Sequence, residues 1–157
     1  MAIRNIVKEG DEILRKQSRE VTAFDRKLWD LLDDMAQTMY KANGVGLAAV
    51  QVGVLRQAVV IDVGKGLIEL VNPVVTKKKG GEVMDVEGCL SSPGEYGMVP
   101  RPKKVEVKAF NRYGKPITVK GDDLLARALC HEIDHLSGRI FKDLVYRMLT
   151  KEEIEKL

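Results

Sequence analysis

The chain contains two histidines, and both fall within Cys130-His131-Glu132-Ile133-Asp134-His135-Leu136. On a helix each residue advances about 100° around the axis, so side chains four apart stand one turn apart on the same face. His131 and His135 can therefore turn two imidazoles onto one metal ion. Glu132 stands beside them as a general base, which is the mechanical content of the H-E-x-x-H pattern. The competing reading is a chance pattern in an amphipathic helix. It is weakened by the lack of any other histidine and by apolar neighbours: Leu124 and Ala128 share the histidine side, and Leu125, Leu129 and Leu136 share the glutamate side. A glutamate on an apolar stripe is costly without a partner.

A third ligand must come from elsewhere. The protease continuation H-x-x-G-x-x-H is broken, because Phe141 stands where the third histidine belongs, although Gly138 is in place. Downstream glutamates are confined to Glu152, Glu153 and Glu155 in the final tail. Cys130 lies on the helix side of Asp123, Arg127 and Asp134, about 100° or more from both histidines. Cys89, in Glu87-Gly88-Cys89-Leu90-Ser91, is the better candidate, with a buried structural thiol as the alternative. A Cys-His-His set leaves a fourth position open, the mark of a catalytic site. An ion there brings the pKa of water towards neutrality. Blue-copper centres use the same ligand types, but electron transfer has no use for a glutamate between the histidines.

Hydrolysis also needs donors for a developing oxyanion. The stretch Gly44-Val45-Gly46-Leu47-Ala48-Ala49-Val50-Gln51 follows a helical pattern and not a strand, so it fails the context of a dinucleotide loop. Its glycines and alanines suit close approach of backbone to a ligand. Gln51 closes it with an amide that could donate to an oxyanion, the plainer reading being a surface glutamine.

The elements that must position these groups read as follows. Asp11 caps a short helix from Glu12 to Arg15. Asp25 to Asn43 reads as a longer helix, with Leu28, Leu32, Met35 and Met39 on one face, Asp25 at its N-cap and Asn43-Gly44 as its stop. Strands are predicted over 57–62, 67–71, 74–77, 81–87 and 103–110. In the last of these Val105, Val107 and Ala109 alternate with Glu106 and Lys108. The run Lys77-Lys78-Lys79 reads as a solvated turn. Residues 111–115 form a turn, and 117–120 pair back as a hairpin. The histidine helix is predicted from about Asp122-Asp123 to Ser137, with Gly138 as its stop. Thr150 and Glu153 form a capping box for a short last helix. This order predicts an α+β fold: mainly antiparallel sheets packed around a central H-E-x-x-H helix, with an N-terminal helix and a short C-terminal helix.

The 157 residues suit a single catalytic domain over 1–157. With 45% hydrophobic and 31% charged residues the composition is that of an ordinary globular protein. A net charge of +3 implies no nucleic-acid binding by itself, and no nucleic-acid motif is present. No apolar run reaches the roughly 18 residues that span a bilayer, and the N-terminus lacks a signal-peptide core. A cytoplasmic location is the expectation, where the two cysteines are read as metal-binding or buried and not as a disulfide.

Taken together, in this order and spacing, G-V-G-L-A-A-V-Q, E-G-C-L-S and H-E-I-D-H resemble the peptide deformylase family, over residues 44 to 137. The resemblance implies hydrolysis of the N-formyl group of N-formylmethionyl nascent chains, with release of formate, in a bacterial-type cytoplasm. It implies Cys89, His131 and His135 as metal ligands. Fe²⁺ would be the ion, and Ni²⁺, Co²⁺ or Zn²⁺ substitutes. Glu132 becomes the general acid and base, taking a proton from the attacking water and returning it to the leaving amine. Gln51 and the backbone N–H of Leu90 become the oxyanion donors. By position, Val45, Gly46, Val86, Glu87, Leu124, Arg127 and Ala128 flank a peptide bound as an added strand. The family's habit of keeping an acid and an arginine here suggests that Glu87 and Arg101 pair near Cys89. A monomer is expected, and a ribosome contact is left open. Two positions depart from the family: Cys130 stands where glutamine is usual, and Ser92 where an apolar residue is usual. An endopeptidase and a module held together by structural metal are the rival readings.

Overall fold

The computed structural model describes residues 2–157, so the expected unit 1–157 begins one residue outside it. Its first long element, α1 (Arg26–Lys41), starts where Asp25 accepts the backbone N–H of Leu28 at 3.2 Å. Leu28, Leu31, Leu32, Met35 and Met39 are buried on one face, which packs on Leu47, Ala49, Ala58, Val60 and Val71. The helix stops two residues before the expected Asn43, because Asn43 takes a positive φ of 57°. Asp11 caps a single 3-10 turn at Glu12–Arg15, as expected.

The strands form one antiparallel sheet in the order β1 (Gly46–Ala48), β2 (Ala58–Ile61), β3 (Ile68–Cys89), β4 (Ser92–Phe110), β5 (Pro116–Asp122), with β6 (Arg147–Met148) added to β4. The three strands expected over 67–71, 74–77 and 81–87 are one strand, β3. Register shifts at 71/74, 75/77 and 79/82 absorb Pro73, Gly80 and Gly81, which read in sequence as breaks. Lys77, Lys78 and Lys79 are correspondingly not a turn. They lie in β3 opposite Glu106, Val105 and Lys104. The middle of β3 is exposed on both faces, so no alternation announced it. Likewise β4 begins at Ser92, not at Lys103, because its first half pairs with the far end of β3. The short strands β1 and β6 and the 3-10 turns at Ala49–Val52 and Phe141–Asp143 carried no signal of their own.

The second helix, α2 (Leu124–Leu136), starts two residues later than the sequence suggested. Asp122 still belongs to β5, and Asp123, at φ 51°, makes the corner. Ala126, Leu129 and Leu136 bury against Val59, Ile61, Leu70, Val105 and Val107. Burial of this apolar face, at about 25 cal/mol per Å², holds the helix across the sheet. Gly138 ends it at φ +75°; a Cβ there would stand 2.4 Å from the carbonyl oxygen of Arg15. The expected capping box opens α3 (Lys151–Glu155): Thr150 Oγ1 accepts from Glu153 N at 3.2 Å, and Glu153 Oε1 accepts from Thr150 N at 3.0 Å. Among the described residues no helix is long and apolar enough to cross a membrane.

Candidate metal centre

The buried side of α2 carries His131 and His135, with ring centroids 5.0 Å apart. Cys89 ends β3, and the tight Leu90-Ser91 connection returns the chain into β4 with Cys89 opposite Ser92. That turn puts Cys89 Sγ 3.4 Å from His135 Nε2. One ligand atom from each of Cys89, His131 and His135 lies within 4.8 Å of the others. Around a tetrahedral ion with thiolate and imidazole ligands, neighbouring donors stand roughly 3.4–3.6 Å apart. The three residues therefore fit a divalent ion in both chemistry and spacing. Cys130 does not join them. It lies on another side of α2, lining a second cavity with Arg101, Ile133 and Asp134, as the helical wheel required.

Two buried atoms near the triad lack any hydrogen-bond partner, Glu132 Oε1 and His135 Nδ1. Buried carboxylate oxygens are otherwise satisfied, so the Glu132 carboxylate is aimed at something that belongs in the site. Gly46 explains how it gets there. A Cβ on Gly46 would stand 2.5 Å from Glu132 Oε2, so only glycine in β1 lets the carboxylate lie against the strand. Burial, opposed by the charge of His131, raises the Glu132 pKa to about 7.

Glu87 organises the wall behind the histidines, and the expected pairing with Arg101 is present. Glu87 Oε2 accepts from Arg101 Nε at 2.8 Å and Oε1 from Arg101 Nη2 at 2.9 Å. Oε2 also takes Arg127 Nη1 at 2.7 Å, and Oε1 faces His131 Nδ1 at 2.8 Å. An acceptor at Nδ1 leaves Nε2 of His131 as the nitrogen that would hold an ion, and raises its basicity. Burial alone would raise the Glu87 pKa; hydrogen bonds from Arg101 and His131 outweigh it and hold it at about 2. Burial would lower the His131 pKa, but the charge of Glu132 and the bonds to Cys89 and Glu87 carry it well above the ordinary value. His135, buried and near the charge of His131, is pushed well below. Arg101 also reaches Asp134 at 2.7 Å, and Arg127 donates to the carbonyl oxygens of Val99 and Val83, each at 2.7 Å. Asp134 and these carbonyls could not be assigned from spacing, since they meet the arginines only through the sheet.

A cavity of about 400 Å³ opens onto the centre. Its lining includes Val45, Gly46, Gln51, Val86, Glu87, Cys89, Leu90, Leu124, Arg127, Ala128, His131 and Glu132, so of the residues expected to hold metal, react or border the peptide all but His135 face it. His135 is fully buried behind the others. The rim from Pro93 to Tyr96, also part of the lining, was not anticipated. Gln51 is not a surface residue. Its Oε1 accepts from Ala48 N at 2.9 Å, and its Nε2 lies 3.5 Å from Cys89 Sγ.

Residues 3–151 match the family model described as polypeptide deformylase. A peptide deformylase of Acetivibrio thermocellus is 58% identical over 156 residues, covering 99% of this chain and 91% of the relative. The crystal structure of a peptide deformylase from Legionella pneumophila superposes with a TM-score of 0.88 at 44% identity, over 98% of this chain and 92% of that one. That of peptide deformylase from Thermotoga maritima superposes with a TM-score of 0.89 at 36% identity, over 91% and 97%.

Proposed function

The chain belongs to the polypeptide deformylase family, and from that premise we propose the part that each residue around the centre plays. It is a metal-dependent hydrolase that removes the N-formyl group from nascent polypeptides, releasing formate. The observation that carries the assignment of roles is the convergence of one sulfur and two imidazoles beside a buried carboxylate with a free oxygen.

Cys89, His131 and His135 would hold a divalent ion, which when bound supplies Lewis acidity and a water of lowered pKa. Glu132 takes the proton of the attacking water and later hands it to the leaving amine. Burial moves this carboxyl up from the ordinary carboxylate range, the direction that suits a group which must both take and return a proton. Gln51 Nε2 and the backbone N–H of Leu90, which flank Cys89, donate to the oxygen of the formyl carbon as it gains charge. Glu87 keeps His131 oriented, and Arg127 ties Glu87 to the strand carbonyls. Val45, Gly46, Val86, Leu124, Arg127 and Ala128 border the peptide, with the apolar members taking the methionine side chain.

Fe²⁺ is our reading of the resident ion, with Ni²⁺, Co²⁺ or Zn²⁺ as substitutes. Mixed thiolate and imidazole ligands suit several divalent metals, and availability decides among them. We read 1–157 as one catalytic unit, supported by the single sheet and the match over 3–151. A monomer in a bacterial-type cytoplasm is in keeping with two free cysteines. A ribosome contact would bring the nascent chain to the cavity. The deciding experiment measures formate release from an N-formylmethionyl peptide by metal-reconstituted protein, beside cleavage of casein. Formate release without casein cleavage is expected; the reverse would replace this reading with an endopeptidase.

A further inference from the structure

Every polar atom of the Gln51 carboxamide faces a partner, and the side chain is 1% exposed. Oε1 accepts from the backbone N–H of Ala48 at 2.9 Å, while Nε2 donates to Ser91 Oγ at 3.1 Å and lies 3.5 Å from Cys89 Sγ. The Ala48 N–H excludes the flipped amide, which would set donor against donor. With Oε1 anchored, the freedom that remains is a tilt of the amide plane. Ser91 Oγ, on a side chain 2% exposed, is the acceptor that limits that tilt. One Nε2 hydrogen is thereby committed to Ser91, and the other is directed at the Cys89 sulfur, on the metal side, where the longer and weaker contact leaves it to be drawn off by a stronger acceptor.

Resting on the reading of Gln51 as an oxyanion donor, we propose that the Ser91 hydroxyl is a positioning group for the Gln51 amide. It keeps one Nε2–H directed where the formyl oxygen develops charge. Gln51 and Ser91 come from different parts of the chain, and a third segment clamps them together. Val7 N donates to Gln51 O at 2.7 Å, and Glu9 N donates to Ser91 O at 2.8 Å. Ser92, where the family usually has an apolar residue, adds to this clamp: its Oγ donates to Glu9 Oε2 at 2.8 Å, and Lys142 Nζ meets the same oxygen at 2.7 Å. Without the Ser91 hydroxyl the sulfur of Cys89, already 3.5 Å away, is the acceptor left to Nε2, and the amide settles onto it. An anionic sulfur is a strong competing acceptor, so the donor is lost where it is needed. Because that donor acts as charge develops, its loss lowers kcat and leaves KM nearly unchanged.

The test is a double-mutant cycle of Ser91→Ala, Gln51→Ala and the pair, with kcat, KM, metal content and melting temperature measured for each. Ser91→Ala is expected to lower kcat about tenfold with KM within about twofold and metal content unchanged. The double variant is expected to be no slower than Gln51→Ala. If Gln51→Ala is slow while Ser91→Ala keeps wild-type kcat, the positioning role is overturned. So it is if Ser91→Ala slows the Gln51→Ala protein by the same factor as it slows wild type. Wild-type turnover in Gln51→Ala would instead overturn the oxyanion reading of Gln51 itself, and this inference with it. Should the alanine at Ser91 prevent folding, Ser91→Thr and Ser91→Val, alike in shape and differing in the hydroxyl, carry the same test. The threonine is expected to exceed the valine in kcat about tenfold, and equal rates would overturn the proposal.

Discussion

Replacing Glu87 by glutamine removes one negative charge from between two buried guanidiniums and a histidine. Arg101 and Arg127 are 3% and 7% exposed, and both donate to the Glu87 carboxylate. The carboxylate titrates at about 2, against an ordinary 4.5. That difference is worth about 3 kcal/mol of stability at neutral pH. Breaking a buried ion pair by neutralising one partner costs about 3–5 kcal/mol. The lower figure is the better one here, because Arg101 keeps Asp134 and Arg127 keeps two carbonyls. Glu87→Gln is therefore expected to lose about 3 kcal/mol. At a urea dependence of about 1–3 kcal/mol per molar, the midpoint should fall by about 1–3 M. The pH dependence has a definite sign. A depressed carboxylate contributes stability that is fully present above its unfolded pKa and is lost as pH falls through its folded pKa. The gap between wild type and variant should be widest at pH 7 and close between about 4.5 and 2. Urea melts of metal-free protein from pH 7 to pH 3 measure it. A variant as stable as wild type at pH 7, or a gap that stays constant on acidification, would refute the reasoning. Because Glu87 also holds His131 Nδ1, metal affinity of the variant should drop about 10–100-fold by competition with a chelator.

Glu132→Gln should keep its metal, by elemental analysis, while kcat for formate release falls at least about a thousandfold, since an amide cannot take the proton. Gly46→Ala would set a methyl 2.5 Å from Glu132 Oε2; kcat should fall about tenfold or more with metal content unchanged, and unchanged kcat would show that the carboxylate does not need that position. Cys89→Ser should lose most of its bound metal and its activity, whereas Cys130→Ala, which alters a thiol facing the second cavity, should keep kcat within about twofold.

The paired imidazoles were legible in the sequence because a helix is local. Residues four apart on α2 meet whatever surrounds them, and Asp25, Thr150 and Gly138 marked their helix ends by equally local rules. Hydrophobic periodicity found α1, α2 and the buried end of β4 for the same reason. It failed on β3, where the stretch from Thr76 to Asp85 is exposed throughout and glycines mark bulges instead of ends. The sequence also ranked Cys89 above Cys130, since a helical wheel can exclude a neighbour. It could not bring Cys89 to the histidines. That distance depends on the register of β3 against β4, on the turn at Leu90-Ser91, and on how α2 lies across the sheet. The hydrogen bond from His131 to Glu87, the contact of Glu132 with Gly46 and that of Gln51 with Ser91 are of the same kind. Each joins residues 40 or more apart in sequence, and such meetings are decided by the closure of the sheet around the helix, because no local propensity acts over that separation.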